Sequence, residues 1–500
     1  MKQRIKFMMI AAVAGLTVAS CSTDFLDVQP EGLPLEANYY RNETEAKAGL
    51  ISVYDLMRKN SGGFENMITM FNAGSDDQFA GGGSSSDGAG IQSFSNYSIN
   101  TNTMPDSFWS DYYRGIFRAN VLLEKLPAVP MDDALRARYA AETKALRAYY
   151  YFNLVRMFKN IPLILSPLTA SEFYSVTQAN PNDVYAQIEK DLTEAIVDLP
   201  NTVVTSSDGG RFTKGAAQAV LGKVYLYEGK NTLAAAQFFE VNGTPGGTSQ
   251  YGNHLLTNYA DLWNTSNQFN AESILEVTHS SQKSYWGIWG GNEDEGNTVC
   301  VMAGPRNYLK IDGSAPDLPS GWSFNVFTDE FYTFMQGDPR FSATVLDLKA
   351  LKQGGHADYI GGYQDTGYFL NKFIPRQTDV YSGGGDAVLN YSQNSYAIRL
   401  ADTYLMEAEA LGGTGSRAQA LLDAVRLRAG LTSVPVTLAA IKDERRRELA
   451  GEGHRWFDLV RWGDAPTKLA SRGFVAGKNE ILPIPTRELQ GTQLVQNPGY

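Results

Sequence analysis

The sequence predicts a mostly α-helical protein built from pairs of helices, with long irregular loops between them. Apolar residues recur at intervals of three and four in many segments, which is typical of helices with one buried face. Convincing alternation of apolar and polar residues, which would predict strands, is nearly absent. Alanine-rich faces with interleaved tyrosines allow close helix packing, so we expect pairs of the tetratricopeptide type.

The first element is an export signal. Lys2, Arg4 and Lys6 precede an apolar run over residues 7–18, which is shorter than the roughly 20 residues that span a bilayer. The following Val18-Ala19-Ser20-Cys21 resembles a lipobox, at which bacterial lipoprotein precursors are acylated on the cysteine and cleaved before it. We therefore predict a signal peptide over residues 1–20 and a lipid such as palmitate on Cys21, which would give lasting membrane attachment. The alternative is ordinary secretion with an incidental cysteine.

The first clear helical pair lies over residues 181–229. Pro181 precedes apolar positions at helical spacing and Pro200 follows them, so the two prolines bound one helix. Thr213 is a candidate cap for a second helix, and Gly229 is a candidate stop.

A second pair is predicted late in the chain. Apolar positions at helical spacing occupy residues 400–411 and 421–428, with Gly412-Gly413 as the break and Gly430 as the stop. Glycine- and serine-rich loops are expected at residues 81–90, 286–291 and 382–385. Because no Pro-rich linker or abrupt change of composition divides the chain, we expect residues 21–500 to form one domain.

Charge and cysteine content exclude several classes of protein. The formal net charge is -11, and it becomes -14 without the three basic residues of the leader. An acidic body argues against nucleic-acid binding and against attachment to anionic lipid through basic patches. Only Cys300 follows Cys21, which excludes a disulfide framework, and we expect Cys300 to be a small buried apolar residue.

Four separated groups of residues carry a family resemblance. They are Cys21 to Asp27 with Gln29-Pro30; Trp109, Tyr112, Tyr113 and Asn120 with Leu146 to Phe152 and Ile161 to Leu163; Arg211 to Ala217; and Glu444 to Leu449 with Gly453 to Trp462, Pro483 to Pro485 and Asn497 to Tyr500. In this order they resemble the SusD/RagB family of outer-membrane nutrient-binding lipoproteins, over essentially the whole mature chain.

The resemblance implies a SusD-like fold at the cell surface, anchored by lipid to the outer membrane. It also implies a partner, a SusC-like TonB-dependent transporter to which the captured nutrient is delivered. The ligand implied is an oligosaccharide or polysaccharide, with a peptide of the RagB type as the alternative. The shared motifs leave the ligand itself open, because a fold does not fix a function.

Aromatic residues in loops are the leading candidates for sugar binding, because a flat ring matches the apolar face of a pyranose. Tyr285, Trp286 and Trp289 lie among glycines without helical or strand periodicity, and Trp322 follows Gly321. Packing within the loops is the alternative for each of them.

Polar candidates are weaker. Asp76, Asp77 and Gln78 could hydrogen-bond to sugar hydroxyl groups. A cluster of hard oxygen ligands that could bind calcium is formed by Asn292, Glu293, Asp294 and Glu295. A solvated acidic turn is the alternative for that cluster, which lacks EF-hand spacing.

Other conspicuous residues are interpreted as structural. The arginines at 445–447 point in different directions on a helix, and we expect them to pair with Glu444, Glu448 and Glu452 rather than form an anion site. His454 lacks a second metal ligand at suitable spacing, and Tyr149 to Tyr151 continue a helical core pattern.

Catalysis is not predicted. The sequence contains no G-x-S-x-G, G-x-x-x-x-G-K-[ST], H-E-x-x-H or C-x-x-C motif, and no cofactor is expected besides structural calcium. A surface glycoside hydrolase stays open, since it requires only two carboxylates about 5 to 9.5 Å apart.

Overall fold

The computed structural model describes residues 39–281, 295–383 and 386–500, and most of its regular structure is helical. The α-helices are α1 Glu43–Tyr54, α2 Met67–Ala73, α3 Ala89–Ser95, α4 Ser107–Lys125, α5 Asp133–Phe158, α6 Ala170–Phe173, α7 Pro181–Asp198, α8 Thr205–Asp208, α9 Lys214–Tyr227, α10 Asn231–Asn242, α11 Thr298–Ala303, α12 Asp329–Met335, α13 Phe341–Thr344, α14 Leu348–Gln353, α15 Leu400–Ala410, α16 Gly415–Arg428, α17 Leu438–Glu448, α18 Arg455–Arg461, α19 Ala465–Lys468 and α20 Thr486–Leu489. The predicted mostly α fold is confirmed.

The strands in the described residues form three separate two-stranded antiparallel ribbons. Ribbon partners are β1 Ser273–Val277 with β6 Ser395–Arg399, β2 Arg306–Lys310 with β4 Ala357–Ile360, and β3 Val345–Asp347 with β5 Tyr368–Leu370. These ribbons are too small to build a sheet layer, so the helices supply most of the core.

Successive helices pack in a continuous row. α4 packs on α5, α5 on α7, α7 on α9, α9 on α10, α10 on α15 and α15 on α16. The tyrosines of α5 fill the interior of this row: Tyr149 is 8% exposed, and Tyr150 and Tyr151 are fully buried. Their interpretation as core residues is confirmed.

The first predicted helical pair corresponds to α7 and α9. Pro181 is the first residue of α7, and the Asn180 side chain accepts a hydrogen bond from the backbone N–H of Asn182. The Thr213 hydroxyl accepts from the backbone N–H of Ala216, 3.2 Å away, at the start of α9. Gly229 has φ +71° after α9 ends, a conformation that glycine adopts without strain. The capping residues therefore act as the sequence predicts.

The second predicted pair corresponds to α15 and α16. Gly412 and Gly413 have φ of +74° and +66° between the two helices. A Cβ at Gly413 would lie 2.7 Å from the backbone nitrogen of Leu438, so the turn requires glycine both for its conformation and for its packing. Gly430, with φ +77°, follows the end of α16.

The three arginines near the end of α17 point to different carboxylates, as expected for structural residues. Arg445 pairs with Asp402 and Asp458, Arg446 with Asp77 and Glu330, and Arg447 lies 3.7 Å from Asp338. The predicted partners are wrong, because the nearby glutamates bind basic residues from other elements. Arg340 binds Glu444 and Glu448, Arg399 binds Glu448 and Glu452, and Lys372 binds Glu452.

The predicted loop at 81–90 is shorter than expected. Residues 81–88 are irregular, but α3 begins at Ala89. Gly81 pairs with Phe324 in an isolated bridge, and a Cβ there would lie 2.2 Å from the carbonyl oxygen of Ser323. Gly81 and Gly82 therefore pack closely against Ser323 and Phe324, whereas residues 83–86 are exposed.

Cys300 is fully buried and not in a disulfide, as predicted. Among the helices of residues 39–281, 295–383 and 386–500, none has the length and apolar character needed to cross a bilayer.

Candidate functional site

The candidate site is an open cleft of about 1240 Å³. Its walls come from residues 58–65, residues 87–90, the start of α4 with the segment before it, and residues 306–324. Its lining residues are Arg58, Lys59, Gly62, Gly63, Phe64, Glu65, Asp87, Ala89, Gly90, Asn102, Thr103, Met104, Pro105, Asp106, Ser107, Asp111, Arg306, Trp322, Phe324 and Arg487. These segments are distant in sequence, so the cleft exists only in the folded chain.

Three aromatic side chains form one wall of the cleft. The rings of Phe64 and Trp322 are 6.2 Å apart, centroid to centroid, with their planes tilted by 42°. Phe324 meets Phe64 edge to face at 5.4 Å. Trp322 is half-buried, so part of the indole remains available to a ligand. Such a wall presents rigid apolar area at low entropic cost.

The backbone holds Trp322 firmly in place. Its N–H donates to the carbonyl oxygen of Val301 at 2.9 Å, and its own carbonyl oxygen accepts from Nε of Arg306 at 3.0 Å. At the preceding Gly321, a Cβ would lie 2.4 Å from the Cα of Gly304. Only glycine permits this close approach, which sets the position of the indole.

Arg306 and Asp87 form a second part of the wall. Their Nη2 and Oδ2 atoms are 2.8 Å apart, and Asp87 also accepts from the backbone N–H of Gly83 at 2.7 Å. Both side chains are about one-third exposed. The pair therefore offers both donors and acceptors at the surface of the cleft.

Lys59 lies in the floor of the cleft with its side chain almost wholly buried. It donates to the carbonyl oxygen of Glu65 and to the Ser107 hydroxyl, and its Nζ lies 4.5 Å from the centre of the Phe108 ring. Burial lowers the pKa of Lys59 to about 8. Burial also raises the pKa of the Glu65 carboxyl.

Opposite charges balance along the cleft. Four lining residues are basic and four are acidic: Arg58, Lys59, Arg306 and Arg487, with Glu65, Asp87, Asp106 and Asp111. A balanced lining presents no concentrated charge of either sign. Aromatic faces with neutralised hydrogen-bonding groups are suited to an uncharged ligand rich in hydroxyl groups.

Of the four predicted aromatic ligand-binding residues, the structure describes one. Trp322 lies in the cleft, whereas Tyr285, Trp286 and Trp289 fall outside the described residues. The described residues on either side of that gap meet beside the cleft. The backbone N–H of Ser280 donates to the carbonyl oxygen of Glu295 at 3.1 Å, and the His279 ring contacts the Ser61 hydroxyl at 2.7 Å.

Asp76, Asp77 and Gln78 lie outside the cleft lining and are buried. Asp76 receives two hydrogen bonds from Arg455, at 2.8 and 2.7 Å, and Asp77 receives one from Arg446 at 2.7 Å. Gln78 donates to the carbonyl oxygen of Asn325.

These contacts correct the prediction that Asp76, Asp77 and Gln78 hydrogen-bond to sugar hydroxyl groups. Burial opposes ionisation of Asp76, but the bonds and charge of Arg455 hold its pKa below the ordinary value. The three side chains link the segment after α2 to α17, α18 and the backbone near Phe324, so we assign them to the scaffold.

The predicted calcium cluster lies mostly outside the described residues, which include only Glu295 of its four members. In the ranges that the structure describes, no group of three or more His, Cys, Asp or Glu residues is arranged to hold a metal ion. His454 is enclosed near Lys223, Asp402 and Glu452, and burial lowers its pKa to about 4. These surroundings agree with the interpretation of His454 as a structural residue.

Sequence reasoning missed several cleft residues. Phe64 satisfies the criterion used for Trp322, because it follows Gly62-Gly63 in an irregular segment, and a systematic search for aromatics after glycines would have found it. The Asp87–Arg306 pair joins positions 219 residues apart, and Lys59 lies in a short 3-10 helix with no distinguishing pattern. No local signal identifies either of these.

Comparison with known proteins agrees with the fold. Residues 272–473 match the model of the SusD family, and residues 24–226 match a model described as starch-binding associating with outer membrane. The SusD-like protein P25 of Formosa agariphila is 26% identical over 94% of each chain.

Solved structures are also similar. A laminarin-binding SusD-like protein is 66% identical, with a TM-score of 0.91 over 92% of this chain and 100% of its own. Surface glycan-binding protein A from Bacteroides thetaiotaomicron, in complex with laminarihexaose, is 25% identical, with a TM-score of 0.80 over 91% of this chain and 99% of its own. The helical fold, the two family matches and the 66% identity along the full length of a solved relative together show that this chain belongs to the SusD family.

Proposed function

We propose that this protein captures a neutral glycan of the laminarin type in the cleft lined by Phe64 and Trp322. The observation that carries the proposal is the half-buried indole of Trp322, fixed against Phe64 in a cleft whose charges balance. Sugar rings stack on such faces, and their hydroxyl groups find donors and acceptors in the Asp87–Arg306 pair.

Two relatives support this choice of ligand. One is named as laminarin-binding and the other was solved with laminarihexaose. An acidic protein with a balanced cleft repels polyanions, so we place uronate-containing and sulfated glycans outside the ligand class.

Capture precedes transfer to a partner. The leader and Cys21 would place the protein on the outer membrane by a lipid, and a SusC-like TonB-dependent transporter would receive the glycan. The family model described as associating with the outer membrane supports this location. Tethering raises the effective concentration of the ligand at the transporter, so a modest affinity of the isolated protein is sufficient.

We propose binding without turnover, since the relatives named above are binding proteins. Affinity electrophoresis of residues 22–500 should show retardation by laminarin, with no retardation by polygalacturonate. Chromatography of laminarihexaose after prolonged incubation should return the intact hexasaccharide. Shorter products would show a hydrolase, and retardation by polygalacturonate alone would overturn the neutral ligand. Peptide binding by calorimetry, with no response to any glycan, would favour a role of the RagB type.

A further inference from the structure

A second groove, of about 690 Å³, adjoins the cleft. It runs along one face of α4, between the segment at residues 162–176 and the segment at residues 487–494. Asp106 and Arg487 line both the cleft and the groove. These two residues therefore lie at the boundary where the cleft and the groove adjoin.

The groove carries aromatic rings that face solvent. Phe173 is 57% exposed, Tyr174 is 60% exposed and Phe117 on α4 is 47% exposed. The rings of Phe173 and Tyr174 meet edge to face at 5.7 Å. Adjacent exposed rings of this size mark interaction sites more often than isolated apolar residues do.

Polar residues line the groove together with the rings. Ser110, Gln490 and Thr492 are among them. The groove therefore combines aromatic and hydrogen-bonding residues, as the cleft does.

The walls of the groove are held in fixed positions. The Tyr113 hydroxyl donates to the carbonyl oxygen of Pro162 at 2.8 Å, and the Asn120 amide donates to that of Ile164 at 2.9 Å. At the other end, the Gln178 amide donates to the carbonyl oxygen of Val495. Because the platform is already ordered, a ligand would lose little affinity in organising it.

We propose that the groove is a second binding subsite for the same glycan chain. The cleft holds one stretch of the polymer, and the groove holds the stretch that continues past Asp106 and Arg487. The protein would then select long chains over short oligosaccharides. This inference depends on the proposed function of the cleft, because the groove extends that site.

The test is the dependence of affinity on chain length, measured by calorimetry with laminaritriose, laminarihexaose and laminarin. The wild-type protein should bind the longer ligands at least tenfold more tightly per chain than the trisaccharide. The double variant Phe173→Ala with Tyr174→Ala should bind the trisaccharide with the wild-type affinity. It should lose most of the additional affinity that the wild type shows for the longer ligands. Both side chains are more than half exposed, so the unfolding midpoint should not change.

Phe239→Ala is the matched control, because Phe239 is 51% exposed on α10 and does not line either site. This variant should retain the full length dependence. A double variant with the wild-type length dependence would overturn the inference. If that variant also failed to retain a transporter that copurifies with the wild type, the groove would instead be a protein-docking surface.

Failure of the inference and failure of the proposed function are distinguishable. Loss of all binding in Trp322→Ala, with an unchanged length dependence in the Phe173/Tyr174 variant, would support the cleft as the glycan site and refute the groove as a subsite. Undiminished binding in Trp322→Ala would instead refute the cleft as the glycan site, and with it the inference about the groove.

Discussion

Replacing Glu448 by Gln should destabilise the protein strongly, because this buried carboxylate binds three buried guanidinium groups. Its Oε1 lies 2.6 Å from Nη1 of Arg399 and also binds Arg428, and its Oε2 lies 2.7 Å from Nη1 of Arg340. Glu448 and the three arginines are almost completely excluded from solvent. The variant Glu448→Gln keeps the shape of the side chain, removes its charge and turns an amide donor toward groups that can only donate.

The expected loss is about 3 to 5 kcal/mol in the free energy of unfolding at pH 7, as for other buried ion pairs that lose one partner. Burial by itself would raise the pKa of Glu448, but the charges of Arg428, Arg399 and Arg340 outweigh burial and hold the pKa well below its ordinary value. A depressed pKa stabilises the fold above the pKa of the unfolded chain, near 4.3, and this contribution is lost as the pH falls.

The difference in free energy of unfolding between the wild type and Glu448→Gln should therefore decrease by about 2 kcal/mol between pH 7 and pH 3. Urea unfolding followed by circular dichroism at both pH values measures this difference. Glu124→Gln, which removes the partner of Lys125 in an exposed pair, is the control and should cost no more than about 1 kcal/mol. A Glu448→Gln variant as stable as this control at pH 7, or a gap that does not change at pH 3, would refute the reasoning.

Three further predictions concern the cleft, the loop aromatics and the anchor. Lys59→Met removes a group whose pKa burial lowers to about 8. Between this value and the pKa of an unfolded lysine, the unfolded chain binds more protons than the folded protein, so the free energy of unfolding of the wild type should rise by about 1.5 kcal/mol relative to the variant from pH 8 to pH 9.5. Urea unfolding measures this difference, and parallel pH profiles would contradict it. Joint replacement of Trp286 and Trp289 by Ala should abolish laminarin binding and leave the unfolding midpoint and transporter association unchanged. Full retardation of this variant by laminarin in affinity electrophoresis would contradict the assignment of both residues to ligand binding. Cys21→Ala should release the protein into the soluble fraction of fractionated cells, and persistent membrane attachment would count against the lipid anchor.

Local signals in the sequence predict the helical scaffold well. Pro181, Thr213 and the Gly412-Gly413 turn act within a few residues of their own positions, through a fixed backbone angle, a capping hydroxyl and a positive φ. Such signals depend little on the rest of the fold. The helical pairs that they bound are present in the structure with nearly the predicted limits.

The candidate site depends on contacts between distant segments, which the sequence does not reveal. Asp76 and Asp77 resemble ligand-binding carboxylates as a local pattern, but their partners Arg455 and Arg446 lie 379 and 369 residues away. The sequence predicts Trp322 as a candidate because it is an aromatic residue that follows a glycine, Gly321. Its neighbour Phe64 became part of the site only through folding.

The most direct test of glycan capture in the cleft is calorimetric titration of laminarihexaose into the wild type and into Trp322→Ala. Trp462→Ala serves as the matched control, because Trp462 is also half-buried but lies outside the cleft, where its indole N–H donates to Glu409 at 2.9 Å. We predict that Trp322→Ala loses at least about 2 kcal/mol of binding free energy, roughly thirtyfold in affinity, and that Trp462→Ala binds as the wild type does. Equal affinities for the wild type and a folded Trp322→Ala would contradict the assignment of this cleft as the glycan site.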